Sequence, residues 1–205
     1  MRVFIGVDSR QPIAANVLAY SIRTRATKLV SITFLQLGQL PITRKGLTEF
    51  TYSRYLVPWL CDFKGEALFL DADMLCLSDI MQLPAGRSAV SVVKNARRFE
   101  WPSLMYFNCE KCKALTVNYV QFEKSPQSLE WADEIGELPS EWNHLVGYDQ
   151  PQDAKIVHFT KGIPVWEETE NCEYAGQWHL ERREMMYTCG YEELMGRSVH
   201  NREVA

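Results

Sequence analysis

Short apolar runs alternate with amphipathic segments along this chain, a pattern typical of domains in which strands and helices alternate. Strands are predicted at 3–7, 31–37, 67–70, 89–93, 106–108 and 155–159. Ser9 and Pro12 are start signals for a first helix, whose apolar residues then recur at helical spacing. Further helices are predicted at 51–60 and 112–122. Pro58 falls inside the first of these and is expected to end or kink it.

Length and composition indicate one folding unit. With 205 residues, of which 46% are hydrophobic, the chain can bury one sizeable core. We expect an α/β domain at 1–166, followed by a Glu- and Arg-rich tail at 167–205 that is helical and packs on the same domain. The formal net charge of −4 argues against a non-specific nucleic-acid binder.

Cysteine usage and the amino terminus predict a cytoplasmic location. The first residues enter a strand directly and lack the layout of a signal peptide, and no run reaches the ~18 apolar residues of a membrane span. The six cysteines are scattered, so we interpret them as reduced thiols. Cys109 and Cys112 have CxxC spacing but no second such pair, which makes a zinc site the minority interpretation.

Two carboxylates follow the apolar strand at 67–70. Asp71 and Asp73 are two positions apart, and side chains at that spacing in an extended segment point the same way. They are therefore expected to converge at the carboxyl end of a sheet, where open α/β folds bind ligands. Such a pair suits a hard divalent cation that completes its coordination with substrate phosphates. The alternative is an ordinary strand-end turn, where Asp is common.

A histidine and a loop with Gly and Pro form a second segment of interest. His158 lies near the end of the strand at 155–159, where its imidazole could supply a nitrogen ligand beside the two aspartates. Lys161 and the backbone N–H of Gly162 lie where a flexible loop could close over phosphate. A core histidine bonded to backbone atoms is the alternative for a lone His.

Four segments together carry a resemblance to a known family. In chain order they are RVFIGVDSR, TYSRYLVPWL, FLDADMLCLSDI and HFTKGIPVW. The third resembles the DxD segment of nucleotide-sugar glycosyltransferases with the GT-A fold. The ordered set is most similar to glycosyltransferase family 8, which includes glycogenin and lipopolysaccharide galactosyltransferases. The resemblance covers residues 1–166 and implies a Rossmann-like GT-A domain with a central, mixed but mostly parallel sheet flanked by helices.

The resemblance also implies an activity and a set of site residues. The activity is metal-dependent transfer of a hexose or pentose from a nucleoside-diphosphate sugar, a UDP-sugar in this family, with retention at the anomeric carbon. The implied ligands of Mn²⁺ or Mg²⁺ are Asp71, Asp73 and His158. The implied nucleotide-sugar site comprises Val7, Asp8, Arg54, Asp71, Ala72, Asp73, Lys161 and Gly162. The implied catalytic residues are Asn108, Asp133 and Lys161.

The chain departs from the family pattern in two places. The family usually carries glycine three positions after the histidine and lysine six positions after it, whereas this chain has Lys161 and Pro164 there. The phosphate-contacting lysine is therefore moved within the loop or replaced. No clear copy of the family's Asp-Gln helix start is present, and 129–134 is the nearest match, which is the basis for choosing Asp133.

Several functions and residue roles remain open at this point. A phosphatase of the haloacid-dehalogenase type also has Asp-x-Asp after a buried strand, but near its amino terminus and not followed by a residue such as Met74. A non-catalytic nucleotide-sugar-binding module is the second alternative. Asp8 suits a helix cap as well as a ribose contact, Arg54 could be an exposed helix arginine, and Asn108 a turn residue. The acceptor is a glycan, a protein or a modified nucleobase.

Overall fold

Two sheets are present in the part of the chain that a computed structural model describes, which is 1–84, 86–123, 126–150 and 152–186. The strands in chain order are β1 (Arg2–Gly6), β2 (Ser31–Leu35), β3 (Glu66–Asp71), β4 (Met74–Cys76), β5 (Val90–Val93), β6 (Leu104–Asn108), β7 (Ile135–Leu138), β8 (His144–Leu145) and β9 (Ile156–His158). The larger sheet has the order β2-β1-β3-β6-β5-β7, and the smaller one the order β4-β9-β8.

The larger sheet is mixed but mostly parallel. Strands β1, β2 and β3 run parallel to one another, and so do β5 and β7. Among the described strands of this sheet, only β6 runs antiparallel to its neighbours, β3 and β5. The apolar residues of β1 and β3 are buried on both faces, as expected for central parallel strands. The α/β fold class predicted from the sequence is confirmed.

The helices are α1 (Pro12–Arg25), α2 (Phe50–Ser53), α3 (Val57–Leu60), α4 (Val117–Phe122) and α5 (Ala175–Met186). Helix α1 begins at Pro12 as predicted and buries an apolar face that includes Val17, Leu18 and Ile22. None of the helices in the described residues has the length and apolarity that a bilayer crossing requires.

Two predicted helices are shorter or more divided than the pattern indicated. The segment at 51–60 consists of α2, a 3₁₀ turn at Arg54–Leu56 and α3. Pro58 lacks an N–H and its ring would clash with the carbonyl four residues earlier, which explains the interruption. The helix predicted at 112–122 begins only at Val117, because the side chain of Thr116 caps it by accepting a hydrogen bond from the N–H of Tyr119.

The chain after residue 166 contributes helix α5, which lies against α1. The indole of Trp178 is completely buried, and the carboxylate of Glu181 pairs with Arg25 of α1. The predicted helical tail extends to residue 205, and its part from 187 onward lies outside the described residues.

The small sheet determines the neighbour of the second aspartate. Strand β4 follows directly after Asp73 and pairs antiparallel with β9, so that Met74 lies opposite His158. The N–H of Phe159 donates to the carbonyl of Asp73 at 2.9 Å, which continues this pairing beyond the strand. The backbone therefore holds His158 beside Asp73, although the two residues are far apart in sequence.

Candidate active site

Three predicted site residues converge at the carboxyl edge of the larger sheet. Strand β3 ends at Asp71, which pairs with Gly6 of the parallel strand β1, so Asp73 and Asp8 follow at the same edge. His158 reaches this edge from β9. The side chains of Asp71 and His158 are buried, and that of Asp73 is 18% exposed. The convergence predicted from the Asp-x-Asp spacing is present.

The distances fit a bound cation. One ligand atom from each of Asp71, Asp73 and His158 lies within 4.8 Å of the others, the only such group of three in the described residues. Nε2 of His158 lies 3.5 Å from Oδ1 of Asp73. Oδ1 of Asp71, Oδ1 of Asp73 and Nδ1 of His158 are buried without a hydrogen-bond partner. Buried polar atoms without partners are costly, and two carboxylates with one imidazole are ligands that Mn²⁺ or Mg²⁺ accepts. The residues present therefore fit a divalent cation.

Arg54 holds Asp71 in place. Its guanidinium Nη2 lies 3.1 Å from Oδ1 and 3.4 Å from Oδ2 of Asp71. The same guanidinium donates from Nη1 to the carbonyl of Pro102 at 2.7 Å and from Nε to the carbonyl of Phe50 at 3.2 Å. The side chain is 9% exposed. Arg54 is therefore a buried partner of the first aspartate, not an exposed helix arginine.

Burial raises the pKa of two acidic groups at this edge, those of Asp71 and Glu100. It raises the pKa of the Asp71 carboxyl to about 7, although the Arg54 guanidinium acts in the opposite direction. Burial also raises the pKa of Glu100. Burial alone would lower the pKa of His158, but the carboxylates of Asp73, Asp71 and Glu100 outweigh it, and the pKa lies above its ordinary value. The site concentrates negative charge that a cation would neutralise.

A cavity of about 400 Å³ opens over these groups and is lined by Asp71, Asp73, His158, Arg54 and Glu100, with other residues around its mouth. This volume lies in the range of small-molecule sites. A larger depression of about 600 Å³ lies at the opposite end of the same strands and contains none of the predicted site residues. The cavity at the carboxyl edge is therefore the better candidate.

Asp8 lies at the same edge but is already paired. Its carboxylate accepts two hydrogen bonds from the Arg10 guanidinium, at 2.8 and 2.7 Å, and a third from the Arg10 N–H at 3.0 Å. The hydrogen bonds from Arg10 hold the pKa of Asp8 below its ordinary value. Helix α1 has Gln11 at its N-cap, so Asp8 does not cap it. The N–H of the preceding Val7 donates to the carbonyl of Leu35, and Ala72 lies buried between the two aspartates.

Two predicted catalytic residues lie at the wrong edge of the sheet. Asn108 pairs with Glu66, the first residue of β3, because β6 runs antiparallel to β3. It is therefore about 17 Å from Asp71 along the strand, at about 3.3 Å per residue. Asp133 is exposed and precedes β7, which begins at the same distant edge. We remove both Asn108 and Asp133 from the candidate site.

Lys161 and Gly162 lie in the loop after β9, beside the site. Gly162 has a φ of +112°, a conformation that favours glycine. The Lys161 ammonium lies 4.7 Å from the centre of the Tyr148 ring, which Arg97 also approaches, at 3.7 Å. Both loop residues line a neighbouring cavity of about 270 Å³ and not the one above Asp71. The structure thus brings them near the site but not into contact with the three converging ligands.

Glu100 is a site residue that no sequence motif indicated. It lies in a 3₁₀ turn at Arg98–Ser103, just before β6. Because β6 is antiparallel to β3, its beginning lies at the edge where β3 ends. A sequence prediction that began β6 at Leu104 and made it antiparallel to β3 would have indicated that this turn lies at the site.

Comparison with solved structures shows the fold. The bifunctional glycosyltransferase WbbM is similar with a TM-score of 0.67 and 16% identity over 89% of this chain, which spans 49% of the WbbM chain. The galactosyltransferase LgtC, solved with donor and acceptor sugar analogues, gives a TM-score of 0.62 and 10% identity, covering 94% of this chain and 99% of LgtC. The glycosyltransferase GlyE of Streptococcus pneumoniae TIGR4 gives 0.61 and 16% identity, over 88% of this chain and 59% of GlyE.

Comparison of sequences identifies a relative. No model of a known protein family matches the chain. Protein CDI of Arabidopsis thaliana is 31% identical over 225 aligned residues, which cover 89% of this chain and 86% of Protein CDI. The chain therefore belongs to the same family as Protein CDI, and it has the GT-A fold of nucleotide-sugar glycosyltransferases.

Proposed function

We propose that the protein is a metal-dependent glycosyltransferase that moves a sugar from a nucleoside-diphosphate sugar to an acceptor. The observation that carries this proposal is the convergence of Asp71, Asp73 and His158, whose buried ligand atoms lack hydrogen bonds, at the carboxyl edge of a GT-A sheet. Ligands of open α/β folds bind at this edge. The fold alone would not establish the activity, because one fold can host several functions.

Asp71, Asp73 and His158 would hold Mn²⁺ or Mg²⁺, which when bound supplies positive charge that stabilises a diphosphate leaving group. Arg54 fixes the orientation of Asp71 through the contacts described above. Its guanidinium also adds fixed positive charge within a largely buried site, where charge interacts more strongly than in water.

We infer a UDP-sugar as the donor, on the resemblance of the four sequence segments to glycosyltransferase family 8. The nucleotide would lie along the edge formed by Val7 and Asp8, with its diphosphate above Ala72 and the two aspartates. The cavity volume of about 400 Å³ is compatible with the sugar and diphosphate portions. Lys161 and the N–H of Gly162 would contact the diphosphate from the loop after β9, as the same resemblance implies.

The stereochemical outcome and the sugar complete the proposal. We propose retention at the anomeric carbon and transfer of a hexose or a pentose, following the same family. The acceptor is a glycan, a protein or a modified nucleobase. The three solved structures compared above are glycosyltransferases, which favours glycosyl transfer over a haloacid-dehalogenase phosphatase. A non-catalytic nucleotide-sugar-binding module would use the same cavity.

A thermal-shift screen tests the proposal. Nucleotides and nucleotide-sugars are added to the purified protein with and without Mn²⁺, and the unfolding temperature is recorded. A ligand at 100 times its Kd stabilises the folded state by about 2.7 kcal/mol, or about 5–10 °C for a chain of this size. We expect this shift for UDP and a UDP-sugar only when Mn²⁺ is present.

The same screen separates the remaining alternatives. A shift without hydrolysis or transfer of any UDP-sugar would support the binding module. The absence of a metal-dependent shift with every nucleotide and nucleotide-sugar would contradict the proposal.

A further inference from the structure

Glu100 presents a nearly buried carboxylate to the candidate site. Its side chain is 14% exposed and lines the cavity above Asp71 and Asp73. Within the described residues this carboxylate accepts no hydrogen bond, although buried carboxylates usually do. Glu100 is therefore a group without an explained role at the centre of the site.

The turn that carries Glu100 is held on both sides. The hydroxyl of Ser103 donates to the carbonyl of Glu100 at 2.5 Å, and the buried side-chain amide of Asn143 donates to that hydroxyl at 2.9 Å. The N–H of Glu100 donates to the carbonyl of Arg97 at 2.8 Å. These bonds fix the backbone of the turn, so the carboxylate can move only by rotation of its own side chain.

The group that faces Glu100 is the unused nitrogen of His158. Nε2 of the imidazole lies toward Asp73, and Nδ1 lies 4.0 Å from Oε2 of Glu100. Nδ1 is buried and has no hydrogen-bond partner. The pairing with Met74 fixes the backbone of His158, so only the orientation of its imidazole ring can still change.

Metal-binding histidines almost always donate their second ring N–H to a carboxylate, a carbonyl or water. Such a partner selects the tautomer that presents the other nitrogen to the metal. Glu100 is the carboxylate on the Nδ1 side of His158, while it is not among the residues whose ligand atoms converge within 4.8 Å. Its position therefore suits the outer partner of the histidine and not a fourth ligand.

We propose that Glu100 is a positioning residue for His158. Its carboxylate accepts a hydrogen bond from Nδ1–H and so directs Nε2 toward a divalent cation shared with Asp71 and Asp73. Rotation of the Glu100 side chain shortens the 4.0 Å separation to the usual hydrogen-bond distance of about 2.8 Å. This inference rests on the proposed function only in that a cation binds at this site.

The first test measures Mn²⁺ affinity by electron paramagnetic resonance of the free ion, without nucleotide and at saturating UDP. We expect Glu100→Ala to weaken Mn²⁺ binding about 10- to 100-fold, the usual effect of losing an outer partner. Glu100→Gln should lose less, because its amide oxygen still accepts from Nδ1–H. Glu110→Ala, an exposed carboxylate at the opposite edge, serves as the matched control and should bind like the parent.

The second test asks whether Glu100 acts through the histidine. In a His158→Ala background, removal of Glu100 should cause no further loss of Mn²⁺ affinity, whereas additive losses would show a direct ligand and overturn the proposal. Nitrogen-15 spectra of the histidine rings give a readout without metal. We expect Glu100→Ala to shift the Nδ1 resonance of His158, assigned by its loss in the His158 variant.

The outcomes distinguish this inference from the proposed function. If Asp73→Ala abolishes Mn²⁺ binding while Glu100→Ala binds within twofold of the parent and leaves the His158 resonance unmoved, the positioning role is refuted and the metal site stands. If the parent binds no Mn²⁺ with or without UDP, both fail. Thermal unfolding of each variant shows whether it is folded. If Glu100→Ala does not fold, Glu100→Gln is used in its place for the Mn²⁺ and nitrogen-15 measurements.

Discussion

Replacing Arg54 by methionine should destabilise the protein well beyond the loss of ordinary hydrogen bonds. Methionine preserves much of the apolar stem beside Phe50 and Phe69 but removes the guanidinium. The carboxylate of Asp71 is then left buried without its cationic partner. Breaking a buried ion pair by removing one member typically costs 3–5 kcal/mol. We expect a loss of about that size, or about 6–20 °C in Tm for a chain of this length.

Arg44 offers a matched control on the neighbouring surface. It also donates to two backbone carbonyls and also lies over an aromatic ring, that of Tyr52, but no carboxylate pairs with it in the described residues. It is half-buried, so Arg44→Met should cost only about 1–2 kcal/mol. The difference between the two variants isolates the contribution of the buried carboxylate.

Urea unfolding of metal-free protein in EDTA at pH ~9 measures these free energies. This pH lies above the pKa of about 7 of Asp71, so its carboxyl group is ionised in the parent protein. Adding Asp71→Asn to the Arg54→Met variant should recover about 1–3 kcal/mol, because a neutral amide is less costly to bury unpaired than a carboxylate. The account of the site is refuted if Arg54→Met costs no more than Arg44→Met, or if the second substitution restores nothing.

Three further predictions concern Arg10, Trp178 and Lys161. Arg10→Gln should lower the free energy of unfolding at pH 7 but not in acid. The lowered pKa of Asp8 stabilises the folded state above the ordinary carboxyl range, and this stabilisation is lost as the pH falls through the folded-state pKa. Urea titrations at several pH values that show a constant difference between variant and parent would contradict this prediction. Trp178→Ala should cost about 3–5 kcal/mol by thermal or urea unfolding if α5 is part of the domain core, and a loss below about 1 kcal/mol would show an undocked helix. Lys161→Ala should slow transfer and weaken donor binding with little change in Tm, and Arg should rescue it only partly; kinetic constants within about twofold of the parent, under ~0.4 kcal/mol, would remove Lys161 from the site.

The parts of the site that local sequence encodes were predictable. An apolar strand followed by Asp-x-Asp predicts both the strand and the shared direction of Asp71 and Asp73, because the side-chain period of an extended segment is two. His158 was recognised from its strand and the Gly-containing loop after it. The fold class followed from the alternation of strands and helices, and the structure confirms it.

Strand direction was the information that the sequence pattern lacked. A residue at the end of a parallel strand lies at the ligand-binding edge, but β6 runs the other way, so Asn108 at its end is far from the site and Glu100 before its start is within it. Apolar periodicity does not distinguish the two directions. Asp133 had a different origin: it was the nearest match to the family's Asp-Gln helix start, but it precedes β7 and lies at the same distant edge as Asn108.

Very short strands were also missed. Strands β4, β7 and β8 have three, four and two residues, too few for a period of two to stand out from turns and loops. Strand β4 nevertheless determines the pairing that places His158 beside Asp73. The geometry of the candidate metal site thus depends on an element whose only sequence signal is the apolar triplet after Asp73.

Turnover of UDP-sugars by the parent, Asp73→Ala and Asp133→Ala tests the central claim most directly. Release of UDP from a panel of UDP-sugars is measured with Mn²⁺ and with EDTA. Asp133 is an exposed aspartate at the opposite edge of the sheet, so it controls for the loss of a carboxylate. We predict Mn²⁺-dependent release by the parent and by Asp133→Ala, and a loss of at least about 100-fold in Asp73→Ala, since even outer partners of a metal cost 10–100-fold. Metal-independent release, or equal activity of Asp73→Ala and Asp133→Ala, would contradict the account.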